Sequence, residues 1–165
     1  MAKCRRFDSS LTSGDTSEFT FHLQHDAGYL PDVLKDYKRL IDKYSMMMQT
    51  CCQPWGMVNG AGKLGGVFFV GDVEFGHEGV FYAWLWDPKV YTSTTHRFMD
   101  GYLCHVAESN RLDRMVCRTP DERLLELLER LGFKLEGRFA RGYRCGGRSS
   151  VLYQARRLFN FGGVV

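Results

Sequence analysis

The chain has 165 residues, 44% of them hydrophobic and 25% charged, with a net charge of +3. That length and balance suit one globular domain with a real core, and they argue against a disordered chain. No apolar run approaches the roughly 18 residues of a membrane-spanning helix, and the opening "MAKCRRFDSS" has no apolar segment after its charges, as a secretory signal would.

Residues 1–18 read as a polar, loose segment. In "EFTFHL", Phe19, Phe21 and Leu23 alternate on one face, as in a half-buried strand. Leu30, Val33, Leu34, Tyr37, Leu40, Ile41, Tyr44, Met47 and Met48 keep a helical stripe, with Pro31 in its first turn. "CCQPWGMVNGAGK" ends that helix and starts a strand, and "LGGVFFVGDVEFGHEG" gives a second. "VFYAWLW" is apolar on both faces, as expected of a central strand. Phe98, Met99, Tyr102, Leu103, Val106 and Ala107 form the stripe of a second helix, and "RLDRMVCR" follows as a short strand. "TPDERLLELLERLG" predicts a third helix: Thr119 as N-cap, Pro120 at the first position, Glu122 completing a capping box, Gly132 closing the end. Glu126 and Arg130 are spaced for an ion pair. "FKLEGRFARGYRCGGRSSVLYQARR" makes two strands around "CGGR". The expectation is a single α/β domain over residues 19–157, with a mixed, mostly antiparallel sheet, helices on both faces, a C-terminal hairpin and an apolar tail at 158–165.

The six cysteines, Cys4, Cys51, Cys52, Cys104, Cys117 and Cys145, contain no C-x-x-C pair. They read as thiols in a reducing, cytoplasmic setting, and no metal site is expected. Between positions 134 and 157, Lys134, Arg138, Arg141, Arg144, Arg148, Arg156 and Arg157 stand against Glu136 alone. This reads as a solvated hairpin face, or as attraction to an anionic partner. Nucleic acid is disfavoured, because no aromatic residues interleave the charges in a nucleic-acid-binding pattern.

"DERLLELLERLGFKLEGRFARGYRCGGR", residues 121–148, resembles the end of the ribosomal-protein-type N-terminal acetyltransferases of the GNAT superfamily, where a helix ends in Leu-Gly-Phe and the next strand continues Glu-Gly-Arg. "WLWDPKV" resembles that family's fourth strand and its Asp-Pro turn. The resemblance implies the GNAT fold, acetyl-CoA as cofactor and a primary amine as acceptor. It implies a slot between splayed fourth and fifth strands, with pantetheine against Leu85 and Trp86. It also implies a pyrophosphate loop, Arg/Gln-x-x-Gly-x-Gly/Ala in the family, over Tyr91, Thr92, Ser93, Thr94, Thr95 and His96.

The chain departs from the family in two places. Tyr91 takes the Arg position, Thr94 and His96 fall on the glycine positions, and Thr92 follows Tyr91 in the same loop. A non-glycine residue at positive φ costs about 1–2 kcal/mol, so the threonine hydroxyls either contact phosphate or cap the helix. Asp121, Leu124 and Leu128 stand where the family carries Asn and then a hydroxyl that protonates the leaving thiolate. Glu74 and Glu78, with His77 between them, are the candidates to take a proton from the amine. His96 and His105 read as partly buried helix histidines, and Tyr91 and Tyr143 are further possible acids. The rival expectation is a non-catalytic GNAT fold with a protein partner, serving as a structural or interaction part, for example of a bacteriophage.

Overall fold

The computed structural model describes residues 1–6, 52–145 and 148–161. The strand read at 19–23 and the helix read at 30–48 lie outside the described residues. Among the described residues, seven strands form one sheet: β1 (Lys3–Arg6), β2 (Cys52–Val58), β3 (Leu64–Glu74), β4 (Glu78–Leu85), β5 (Arg114–Thr119), β6 (Lys134–Cys145) and β7 (Arg148–Leu158), in the order β1-β2-β3-β4-β5-β7-β6. All neighbours are antiparallel except β4 and β5. Helix α1 (Ser93–Ser109) joins that parallel pair, and α2 (Arg123–Arg130) joins β5 to β6. A parallel pair needs such a crossover, so the helix between "VFYAWLW" and "RLDRMVCR" follows from the geometry.

The mixed sheet and the C-terminal hairpin are as the sequence implies. The N-terminal residues are not loose throughout: Lys3–Arg6 pairs with β2, Lys3 opposite Val58 and Arg6 opposite Trp55. An edge strand needs few apolar residues, which is why composition did not reveal it. The start of α2 also differs. Thr119 ends β5, and its hydroxyl accepts from the Asp121 N–H at 3.0 Å. The Asp121 carboxylate accepts from the Arg123 N–H at 3.0 Å, and Glu122 makes no side-chain cap. The expected capping box is absent because strand pairing holds Thr119 too far upstream.

The end of α2 is as expected. Gly132 takes φ +79°, its N–H donates to the Glu129 carbonyl at 2.9 Å, and the Phe133 N–H donates to Leu128 at 2.9 Å. This double closure needs a left-handed residue, which glycine adopts without a Cβ penalty. It turns Phe133 back onto Phe81, ring centroids 5.7 Å apart. Met99, Tyr102, Leu103, Val106 and Ala107 of α1 join Leu127 and Leu128 of α2 in one core with Phe68, Val70, Phe81 and Cys117. The opposite side chains of β3 and β4 stack as Phe69, Tyr82 and Trp84.

Candidate functional site

The site begins where β4 and β5 stop pairing. Only Glu78, Gly79 and Val80 face β5 partners, namely Arg114, Met115 and Val116. Among the described residues, the rest of β4, Phe81–Leu85, pairs only with β3. Backbone alternation shows what the gap exposes. The Trp86 N–H donates to the Gly65 carbonyl at 3.1 Å, and the register runs unbroken from Leu85 opposite Gly66 to Val80 opposite Gly71. Tyr82 and Trp84 therefore direct their backbone groups to β3, while Ala83 and Leu85 direct theirs into the slot.

Beyond β4 the chain makes a tight turn. Asp87 accepts from the Lys89 N–H at 3.0 Å, and Pro88 opens a short 3₁₀ turn, Pro88–Val90. This turn lies against β3 because Gly65 is there. A Cβ on Gly65 would stand 2.5 Å from Val90 Cγ1 and 2.9 Å from Asp87 Cβ. α1 then starts at the mouth of the slot.

The loop into α1 is built on threonine rather than glycine. Thr92, at φ −121°, is the N-cap, and it forms a capping box with Thr95. Thr95 is fully buried; its hydroxyl accepts from the Thr92 N–H at 2.8 Å and donates to the Val90 carbonyl at 2.8 Å. Among the described residues the non-glycine positive φ values fall on Asp72, Arg111 and Arg141, none of them in this loop. The threonines thus avoid backbone strain by adopting an ordinary capped helix start. Ser93 and Thr94 are exposed on the first turn, where helix N–H groups have no partner within the helix.

A cleft of about 520 Å³ opens between this loop and α2. Leu85, Pro88 and Tyr91 line one wall. Arg123, Leu124, Glu126, Leu127 and Arg130 line the other. The Tyr91 hydroxyl meets His96 Nδ1 at 2.7 Å. Burial pushes the Tyr91 phenol above its ordinary value; Arg130 across the cleft lowers it and Glu126 raises it. Arg123 pairs with Asp121 at 2.8 Å, and Arg130 pairs with Glu126 as their spacing predicts. Neither arginine was read as a site residue in the sequence, where Arg130 stood only as the ion-pair partner of Glu126. Their signal was the spacing 123, 126, 127, 130, which is one helical face.

Leu85, Tyr91 and the loop residues 92–96 are thus brought together at the open end of β4. The Trp86 ring turns to β3, where Nε1 donates to the Leu64 carbonyl at 3.2 Å. Glu74 and Glu78 lie at the other end of β4, flanking the turn before it. Glu74 is exposed, and Glu78 is held by Arg114 at 2.6 Å, with His77 Nε2 3.2 Å from the same guanidinium. Leu124 and Leu128 are buried and bring no hydroxyl to the slot. The basic hairpin is partly spent internally: Arg156 pairs with Glu136 at 2.7 Å, and Arg157 turns inward to Asp100 at 2.6 Å. Among the described residues no group of three or more His, Cys, Asp or Glu is placed to hold a metal, and no helix is long and apolar enough to cross a membrane.

No protein-family model matches the chain, and no curated protein matches it in sequence. Solved structures do match it. A chimera of the spermidine N-acetyltransferase SpeG from Vibrio cholerae and hSSAT superposes with a TM-score of 0.66 over 95% of both chains, at 15% identity. The ribosomal-protein-S5-alanine acetyltransferase from Vibrio fischeri superposes with a TM-score of 0.65, covering 98% of this chain and 95% of that one, at 14% identity. The spermidine/spermine N-acetyltransferase SpeG from Vibrio cholerae gives 0.59 at 13% identity, over 95% and 92%. With the splayed parallel pair at its centre, the chain has the fold of the GNAT acetyltransferases.

Proposed function

We propose that the protein binds acetyl-CoA in the slot between β4 and β5 and passes the acetyl group to a primary amine. The observation that carries this reading is the parting of β4 from β5 after Val80, which leaves the Ala83 and Leu85 backbone groups facing the gap. A pantetheine arm carries amide donors and acceptors that match such an edge. Its diphosphate would meet the first turn of α1, where the Ser93 and Thr94 N–H groups and the helix dipole favour an anion. Arg123 and Arg130 stand across the cleft and would turn from Asp121 and Glu126 to the phosphates.

In the transfer the amine nitrogen attacks the thioester carbonyl. The C–N bond forms, the C–S bond breaks, and the thiolate takes up a proton. Holding the two reactants together supplies the larger share of the rate, since effective molarities reach about 10⁵ M or more. Glu74, exposed beside the turn, is in this reading the final acceptor of the amine proton, which reaches it along a chain of waters, because Glu78 is engaged by Arg114.

A second reading is favoured by the buried Leu124 and Leu128, and by the Thr92 and Thr95 hydroxyls bound within the cap. It is a fold that holds no cofactor and serves as an interaction part. Calorimetric titration with acetyl-CoA separates the two. Binding should raise stability by about 2.7 kcal/mol at 100 times the dissociation constant, and thiol release should follow when an amine is added. No heat and no thermal shift at millimolar acetyl-CoA would refute the first reading in favour of the second.

A further inference from the structure

We infer that Asp72 and Tyr82 form the subsite that holds the acceptor as a primary ammonium ion, an inference that rests on the slot reading above. The pair is built by a bulge. Gly71 faces Val80 and Glu74 faces Glu78, so Asp72 and Val73 together stand against Gly79. Asp72 takes φ +46°, the left-handed position that a bulge of this kind usually gives to glycine. Its side chain is thereby aimed at Tyr82, whose hydroxyl donates to Asp72 Oδ2. Bulges beside active sites commonly re-aim a side chain in this way.

The position of Tyr82 connects the pair to the chemistry. The slot opens at Leu85 and closes at Val80, where β4 rejoins β5. Those five steps of extended strand span roughly 17 Å, about the reach of a pantetheine arm. An arm that starts outside Leu85, at the first turn of α1, therefore ends short of Val80, beside Phe81, Tyr82 and Ala83. There Asp72 is exposed and Tyr82 is half-buried, so an entering ligand can reach both. The Tyr82 ring stacks on Phe69 at 5.1 Å and on Trp84 at 6.2 Å. That stack holds the phenol in place, and a carboxylate beside a phenol oxygen is a chemical match for an alkylammonium group, which takes charge from the first and a hydrogen-bond acceptor from the second.

The test titrates putrescine into wild type, Asp72→Asn, Asp72→Gly and Tyr82→Phe, with acetyl-CoA binding measured separately on each. Asparagine tolerates the left-handed region and glycine relieves it, so both variants are expected to fold. Putrescine affinity should fall roughly tenfold or more in both Asp72 variants and less in Tyr82→Phe, as expected when a hydrogen bond to a charged group is lost. Acetyl-CoA affinity should stay within twofold of wild type. Wild type that gives no putrescine heat, or Asp72→Asn that binds putrescine as wild type does, overturns the subsite. If acetyl-CoA binds normally in either case, the slot reading survives. If acetyl-CoA binds no variant and not the wild type, the slot reading falls instead, and the putrescine titration still decides the subsite.

Discussion

Val80 and Val116 are the last facing pair of β4 and β5. Below them the strands share a parallel ladder; above them, among the described residues, β4 continues bonded to β3 alone. The consequence is an alternation of protected and open amides along one strand. Tyr82 and Trp84 should exchange hydrogen slowly, since their N–H groups are tied to β3. Ala83 and Leu85 should exchange faster, because theirs face the slot. Acetyl-CoA should then slow Ala83 and Leu85 selectively. Equal protection of all four amides in the free protein would contradict the splayed geometry.

The capped loop makes a second prediction. Thr95 is buried, and its hydroxyl joins the Thr92 N–H to the Val90 carbonyl. Thr95→Val keeps the shape and removes both bonds, leaving buried polar groups without partners. It should cost about 1–3 kcal/mol in denaturant unfolding. Thr92→Ala should cost about 1 kcal/mol as a lost N-cap. Ser93→Ala and Thr94→Ala lie on the exposed turn and should stay within about 0.5 kcal/mol of wild type. A reversed order, with the exposed pair the more damaging, would mean that the capping box is not what holds the loop.

Much of this fold was legible because it depends on local pattern. Met99, Tyr102, Leu103, Val106 and Ala107 are buried as their 3.6-residue stripe requires, although Phe98 on the same stripe stays 37% exposed beside Trp55. "VFYAWLW" reads as central because both of its faces pack. The site was less legible. A gap between strands is an absence of pairing, and no residue type encodes it directly; the family resemblance supplied that expectation. Thr119 shows the converse limit, since a good capping residue was taken over by the end of β5. The bulge at Asp72 went unread because the left-handed residue there is not glycine.

Cys117 predicts an alkaline limit to stability. Burial pushes its thiol from 9.0 up to about 12. In the unfolded chain the thiol ionises above pH 9, while the folded protein keeps its proton until about pH 12. The folded state then binds more protons, so stability is full below pH 9 and falls as pH rises toward 12. The loss from this group should approach about 1.4 kcal/mol per pH unit in that window. Cys117→Val should flatten the slope in urea unfolding measured from pH 8.5 to 10.5. At pH 8 a thiol reagent should also modify the half-buried Cys104 well before Cys117, as read by peptide mass mapping. Early labelling of Cys117 in the folded protein would show that its surroundings open.

Arg157 carries the last prediction, because it ties three elements together. From β7 its guanidinium donates to Asp100 of α1 at 2.6 Å and to the Leu131 carbonyl, at the end of α2, at 2.8 Å; it also lies 3.3 Å from Cys104 Sγ. Its side chain is 16% exposed, and that of Asp100 is 45% exposed. The ion pair alone is therefore screened on one side and worth little. The bond to Leu131 matters more, because a carbonyl at a helix end has no partner within the helix. Arg157→Met keeps the apolar stem and leaves that carbonyl unbonded; it should cost about 2–3 kcal/mol. Asp100→Asn should cost less than about 1 kcal/mol, since the arginine keeps its helix contact. Arg157→Lys should fall between them, for an ammonium group lacks the fork that reaches both partners. These costs also bear on the slot. α1 and α2 form its mouth, and Arg157 fixes one helix against the other. The methionine variant should therefore bind acetyl-CoA more weakly even at temperatures where it is fully folded. Equal stability losses for Asp100→Asn and Arg157→Met would show that the ion pair, and not the helix end, carries the contact.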